Sequence, residues 1–66
     1  MTVNELLENA DPYFDTIVLT RNNKSFFCND YRHLGEAKEL IVKTWEICFD
    51  YILEEYYIKI EVEQWK

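Results

Sequence analysis

A folded domain of 66 residues has to draw its stability from a core with very little interior, because at this size surface dominates volume. The chain therefore forms one domain, residues 1–66, near the lower limit for folding without disulfides or a metal. Its composition is that of a folding chain. Hydrophobic residues make up 48% and aromatic residues 17%, too apolar for a disordered segment. Phe14, Phe26, Phe27, Trp45, Phe49, Tyr56, Tyr57 and Trp65 are the expected core, each ring removing roughly 150–250 Å² from water. So many rings exceed what a small interior can hide. Some are expected at the surface, where they favour partner binding or a homodimer.

Local patterns divide the chain. Thr2-Val-Asn-Glu5 matches a capping box, and Val3, Leu6, Leu7 and Ala10 follow at helical spacing. Asp11-Pro12 stops the helix, so residues 3–10 form about two turns. Residues 13–21 are rich in β-branched and aromatic types with both faces partly apolar, which predicts a central strand. Asn22-Asn23-Lys24 supplies turn residues, residues 25–29 return as the hairpin partner, and residues 30–35 are loop holding the only glycine.

Residues 36–57 admit two readings. Glu39, Lys43, Glu46, Asp50 and Glu54 are spaced like the wet face of one long helix, which would pack on a three-stranded sheet. The alternative is a short helix at 36–40 and a strand at 41–49, with Trp45, Ile47 and Phe49 on one face and Glu46, Cys48 and Asp50 on the other. Residues 56–65 are a strand, since Ile58, Ile60 and Val62 alternate with Lys59, Glu61 and Glu63. Ending in Trp65, this last strand is the expected pairing edge of a homodimer.

Met1–Leu7, Phe14–Leu19, Val42-Lys-Thr-Trp45-Glu-Ile47 and Ile58-Lys-Ile-Glu-Val62 together resemble short uncharacterised proteins of phages and mobile elements of Gram-positive bacteria. The resemblance covers about half the chain. It implies that the Trp45 element is a strand, and hence an α+β fold of order α-β-β-α-β-β with an antiparallel sheet of two hairpins. The Tyr51-Ile-Leu-Glu-Glu55 connection departs from it, having no good turn residue, and leaves the long helix open. The resemblance brings no catalytic residues. Some similarly small acidic phage proteins inhibit host defence nucleases.

Charge narrows the partner class. Thirteen acidic against seven basic residues give a net charge of −6, a field that repels phosphate backbones and argues against direct nucleic-acid binding. Residues 34–66 hold eight of the acids against four lysines. No apolar run approaches the ~20 residues of a membrane span. The opening MTVNELLENA lacks the basic segment and apolar core of a signal peptide, so a cytoplasmic protein with reduced thiols is expected. Cys28 and Cys48 lie among Phe26, Phe27, Ile47 and Phe49, where a thiol acts as a small hydrophobe.

Catalytic constellations are absent from the pattern. One glycine excludes a phosphate-cradling loop. Two Cys and the single His33 fall short of a four-ligand metal site, and no cofactor motif is present. Cys28 with His33 is the only nucleophile–base candidate, and a chain this short has little room for the cleft that such a pair needs. The expectation is a non-catalytic protein acting by protein–protein contact. Two surfaces qualify: aromatic Tyr51, Tyr56, Tyr57 and Trp65, and acidic Asp50, Glu54, Glu55, Glu61 and Glu63. The acidic set alone would suit the alternative, a DNA-mimicking inhibitor of a defence nuclease or other nucleic-acid enzyme with a basic site.

Overall fold

The computed structural model describes residues 1–10 and 14–64, so the Asp11-Pro12 helix stop and Trp65 lie outside the described residues. In chain order it contains α1 (Val3–Glu8), β1 (Ile17–Arg21), β2 (Lys24–Asn29), two 3₁₀ turns (Tyr31–His33 and Gly35–Glu39), β3 (Val42–Asp50) and β4 (Glu55–Val62). The α+β class and the order of elements follow the two-hairpin expectation. The long helix is overturned, because Val42, Thr44, Trp45, Ile47 and Phe49 extend and pair with β4.

The sheet itself corrects the expectation. It is mixed, in the order β2-β1-β4-β3, with β1 and β4 parallel and the two hairpins antiparallel. The parallel register sets Ile17 beside Ile58 and Leu19 beside Ile60, which brings the most aliphatic strands together at the centre. The last strand is thus internal, and β2 and β3 are the edges. This removes β4 as the pairing edge.

Local chemistry explains the joints. In α1 the Glu5 amide donates to Thr2 Oγ1 (3.2 Å) and the Thr2 amide donates to Glu5 Oε1 (2.9 Å), completing the capping box. The Thr2 amide holds the Glu5 carboxyl below its usual range. Asn22 and Asn23 both take positive φ (54° and 65°), the two-residue turn that matches strand twist. The segment expected as a short helix at 36–40 is a 3₁₀ turn, with i+3 bonds from Ala37 to Leu34 and from Leu40 to Ala37. Residues expected as loop form the other 3₁₀ turn, whose amide at Arg32 donates to the Asp30 carboxylate (3.0 Å).

The core is aliphatic where an aromatic one was expected. Val3, Leu6, Phe14, Ile17, Leu19, Leu34, Ala37, Ile58, Ile60 and Val62 are buried between the sheet and the helical layer. Phe14 is the only aromatic ring among them; Phe26 and Phe27 are partly buried against the cluster. Helix α1 has six residues and a helix is about 10 Å across, so it covers about two strands spaced ~4.8 Å apart. Val3 and Leu6 of α1 are buried in one cluster with Ile17 and Leu19 of β1 and Ile58, Ile60 and Val62 of β4, whereas of β3 only Val42 packs against it.

Candidate protein-binding surface

Strand β3 shares a face with the core yet lies outside its cover. Its register sets Trp45 beside Ile60, Ile47 beside Ile58 and Phe49 beside Tyr56, so these side chains point to the helical side of the sheet. Ile58 and Ile60 are sealed by that layer, whereas Trp45 and Ile47 are 47% and 48% exposed. The division of β3 into Trp45, Ile47 and Phe49 against Glu46, Cys48 and Asp50 is as the alternation predicted.

The hairpin tip adds further exposed apolar side chains, Tyr51 against Phe49 and Ile52 and Leu53 bordering the opposite face near Thr16, Cys28 and Tyr57. Tyr51 and Ile52 are 84% and 92% exposed, and Leu53 and Tyr56 are also exposed. Phe49 is partly buried between two rings, edge-on to Tyr51 (centroids 5.0 Å apart) and to Tyr56 (4.9 Å). The tip is not slack. Asp50 Oδ1 accepts from the Ile52 amide (2.9 Å) and the Leu53 amide (3.2 Å), and Glu54 closes the turn at φ 55°. Three apolar residues are therefore held in solvent by a braced turn, at a cost that burial in a contact would recover.

The expected acidic surface divides into different roles. Glu54, Glu55 and Glu63 are exposed. Asp50 braces the tip. Glu61 accepts from the Thr20 hydroxyl (2.6 Å) and from the Asn22 (2.8 Å) and Asn23 (3.5 Å) amides, and the Thr20 hydroxyl foremost holds its carboxyl below the usual range. It ties β4 to the first hairpin. Tyr57 is half-buried on the opposite face of the sheet beside Cys48, which pushes its hydroxyl above the ordinary 10.0. Of the aromatic set, Tyr51 and Tyr56 pack on Phe49; Tyr57 faces away and Trp65 lies outside the described residues.

Trp45, Ile47, Ile52 and Leu53 belong to this surface and were not singled out as binding residues, whereas Tyr56 was. The signal was Tyr51-Ile-Leu53, three apolar residues in a connection between two strands, where polar turn formers are the rule.

The nucleophile–base candidate does not assemble. His33 Nδ1 lies 2.8 Å from Asp30 Oδ1, and Asp30 also accepts from Arg32 Nη2 (2.9 Å). These two partners, Arg32 foremost, lower the Asp30 carboxyl to about 2. Cys28 is exposed on the face of the sheet opposite the core, paired with Val18. It is not in the apolar setting expected from its neighbours. Among the described residues no group of three or more His, Cys, Asp or Glu could hold a metal ion, and no helix is long and apolar enough to cross a membrane.

Comparison with known proteins gives no matching family model, no matching curated protein and no matching solved structure.

Proposed function

We propose that this chain is a non-catalytic accessory protein of a phage or mobile element that works in a bacterial cytoplasm by contact between proteins, through the apolar stripe of the β3–β4 hairpin. The carrying observation is the braced tip, where Tyr51, Ile52 and Leu53 stay in solvent although the core beneath the helical layer is sealed. Apolar side chains fixed in water beside a strand edge that the described residues leave unpaired past Val42 are the features of a contact surface.

Placing a photo-crosslinking residue at Ile52 in cells tests this. One discrete product, lost when Tyr51 and Leu53 are replaced by Ser, is expected. A product unchanged by those replacements, or none above background, would overturn the reading.

The inhibitor alternative draws on exposed Glu54 and Glu55 beside the tip. It is the weaker reading, because Glu61 and Asp50 already serve the fold.

A further inference from the structure

Resting on the contact reading, we infer that the occupant of this surface is a second copy of the chain, joined along β3 in antiparallel register with Ile47 on the two-fold axis. Backbone direction is the first argument. The Ile58 amide donates to the Thr16 carbonyl on the β1 side, and the Glu63 amide donates to the Ile41 carbonyl on the β3 side. Even-numbered residues of β4 therefore face β1 and odd-numbered ones face β3. Since Ile47 sits opposite Ile58, the N–H and C=O of Trp45, Ile47 and Phe49 point away from β4 to the free edge. Among the described residues that edge is covered only at its start, where the Val42 amide donates to the Met1 carbonyl (2.8 Å).

Register is the second argument. Centring the pair on Glu46 sets two Glu46 carboxylates face to face, and centring it on Cys48 sets Glu46 against the partner's Asp50. Centring on Trp45 drives the partner into the Met1 segment. Centring on Phe49 runs the pairing past the end of the strand. Ile47 is the midpoint of residues 44–50 and avoids all four. Trp45 then faces the partner's Phe49, Ile47 faces the partner's Ile47, Thr44 faces the partner's Asp50, and Glu46 faces the partner's Cys48 while keeping Lys59 as its own cross-strand neighbour.

Distribution and area agree. Every exposed large hydrophobic side chain among the described residues lies on β3, beside its start (Met1 and Ile41), at the hairpin tip or at Tyr56; none lies on β1 or β2. The chosen register carries the tip of one copy to the exposed Met1 and Ile41 of the other. Trp45, Tyr51 and Tyr56 alone offer on the order of 400 Å² at their exposures, about half of the ~800 Å² per partner in a stable interface, before Ile47, Ile52 and Leu53 are added.

Light scattering and sedimentation on the purified chain, from about 1 μM to 1 mM, read the mass directly. Association from 8.1 kDa to twice that is expected, tightening with salt because two acidic copies repel. Ile47→Lys should weaken association at least about tenfold by setting two cations on the axis. Ile47→Pro removes an outward N–H that β4 does not use and should do the same. Glu46→Cys in a Cys28→Ser background should oxidise to a disulfide with the partner's native Cys48. A parent chain that stays monomeric overturns the inference, and so does a dimer indifferent to both Ile47 changes or a disulfide between the two 46 positions. A monomer that still gives a heterologous crosslink at Ile52 would leave the contact reading standing.

Discussion

The Thr20 hydroxyl, 2% exposed, donates to Glu61 Oε1 across 2.6 Å and joins β1 to β4 on the face of the sheet opposite the Ile17–Ile58 core. The same carboxylate holds the Asn22 and Asn23 amides, so one side chain fixes both the parallel strand pair and the first turn. Thr20→Val should cost about 1 kcal/mol in urea unfolding, the usual worth of such a bond. Glu61→Gln should lower Tm clearly, whereas Glu54→Gln, Glu55→Gln and Glu63→Gln should leave it unchanged or slightly raised by reduced self-repulsion. Equal effects at all four sites would show that Glu61 is not the tie described.

Acid should loosen the fold. Glu5, Asp30 and Glu61 all have carboxyls held below their ordinary values in the folded state, Asp30 at about 2 against 3.8. The folded chain then binds fewer protons than the unfolded one in this range. Their contribution is complete above the ordinary values and is lost as pH falls through them, toward about 2 for Asp30. Urea midpoints should be level between pH 6 and 8 and decline from about pH 4.5 downward, less steeply in Glu61→Gln. A midpoint that rose on acidification would refute this sign.

Gly35 opens the second 3₁₀ turn at φ +56°, with open space where a Cβ would go. Gly35→Ala should therefore cost about 1–2 kcal/mol through backbone strain alone. Gly35→Asn should cost less, since Asn tolerates this region better. Circular dichroism melts of the pair measure the difference. An alanine variant as stable as the parent would mean that the turn can re-form at negative φ.

Exposed and buried isoleucines on the same hairpin should behave oppositely. Ile60 is fully buried, and Ile60→Ala should cost about 2–5 kcal/mol, enough to unfold much of a domain this small. Ile52→Ser should leave stability within about 0.5 kcal/mol while reducing binding of a dye such as ANS. Thermal melts and dye fluorescence separate the two effects.

Short-range features were legible because their causes are short-range. The Thr2–Glu5 box, the Asn22-Asn23 turn and the alternation of Ile58, Ile60 and Val62 each depend on neighbours within a few residues. The pairing of Ile17 with Ile58 spans about 40 positions, and nothing in either segment signals the other. The aromatic core misled for a related reason. Whether Trp45 is interior depends on how far a six-residue helix reaches across the sheet, which no local pattern encodes. The acidic surface had the same weakness: Glu61 and Glu63 look alike in the strand repeat, and only the approach of Thr20 separates them.

The seating of β4 between β1 and β3 also sets a schedule for folding. The first hairpin can close early, but its inner edge stays unsatisfied until the last strand slots in beside it. Contacts so distant along the chain make for slow, cooperative closure. During synthesis the amino-terminal two thirds would wait with Ile17 and Leu19 lacking their strand neighbours Ile58 and Ile60, and a chain cut before Ile58 would lose the middle of its sheet rather than a rim.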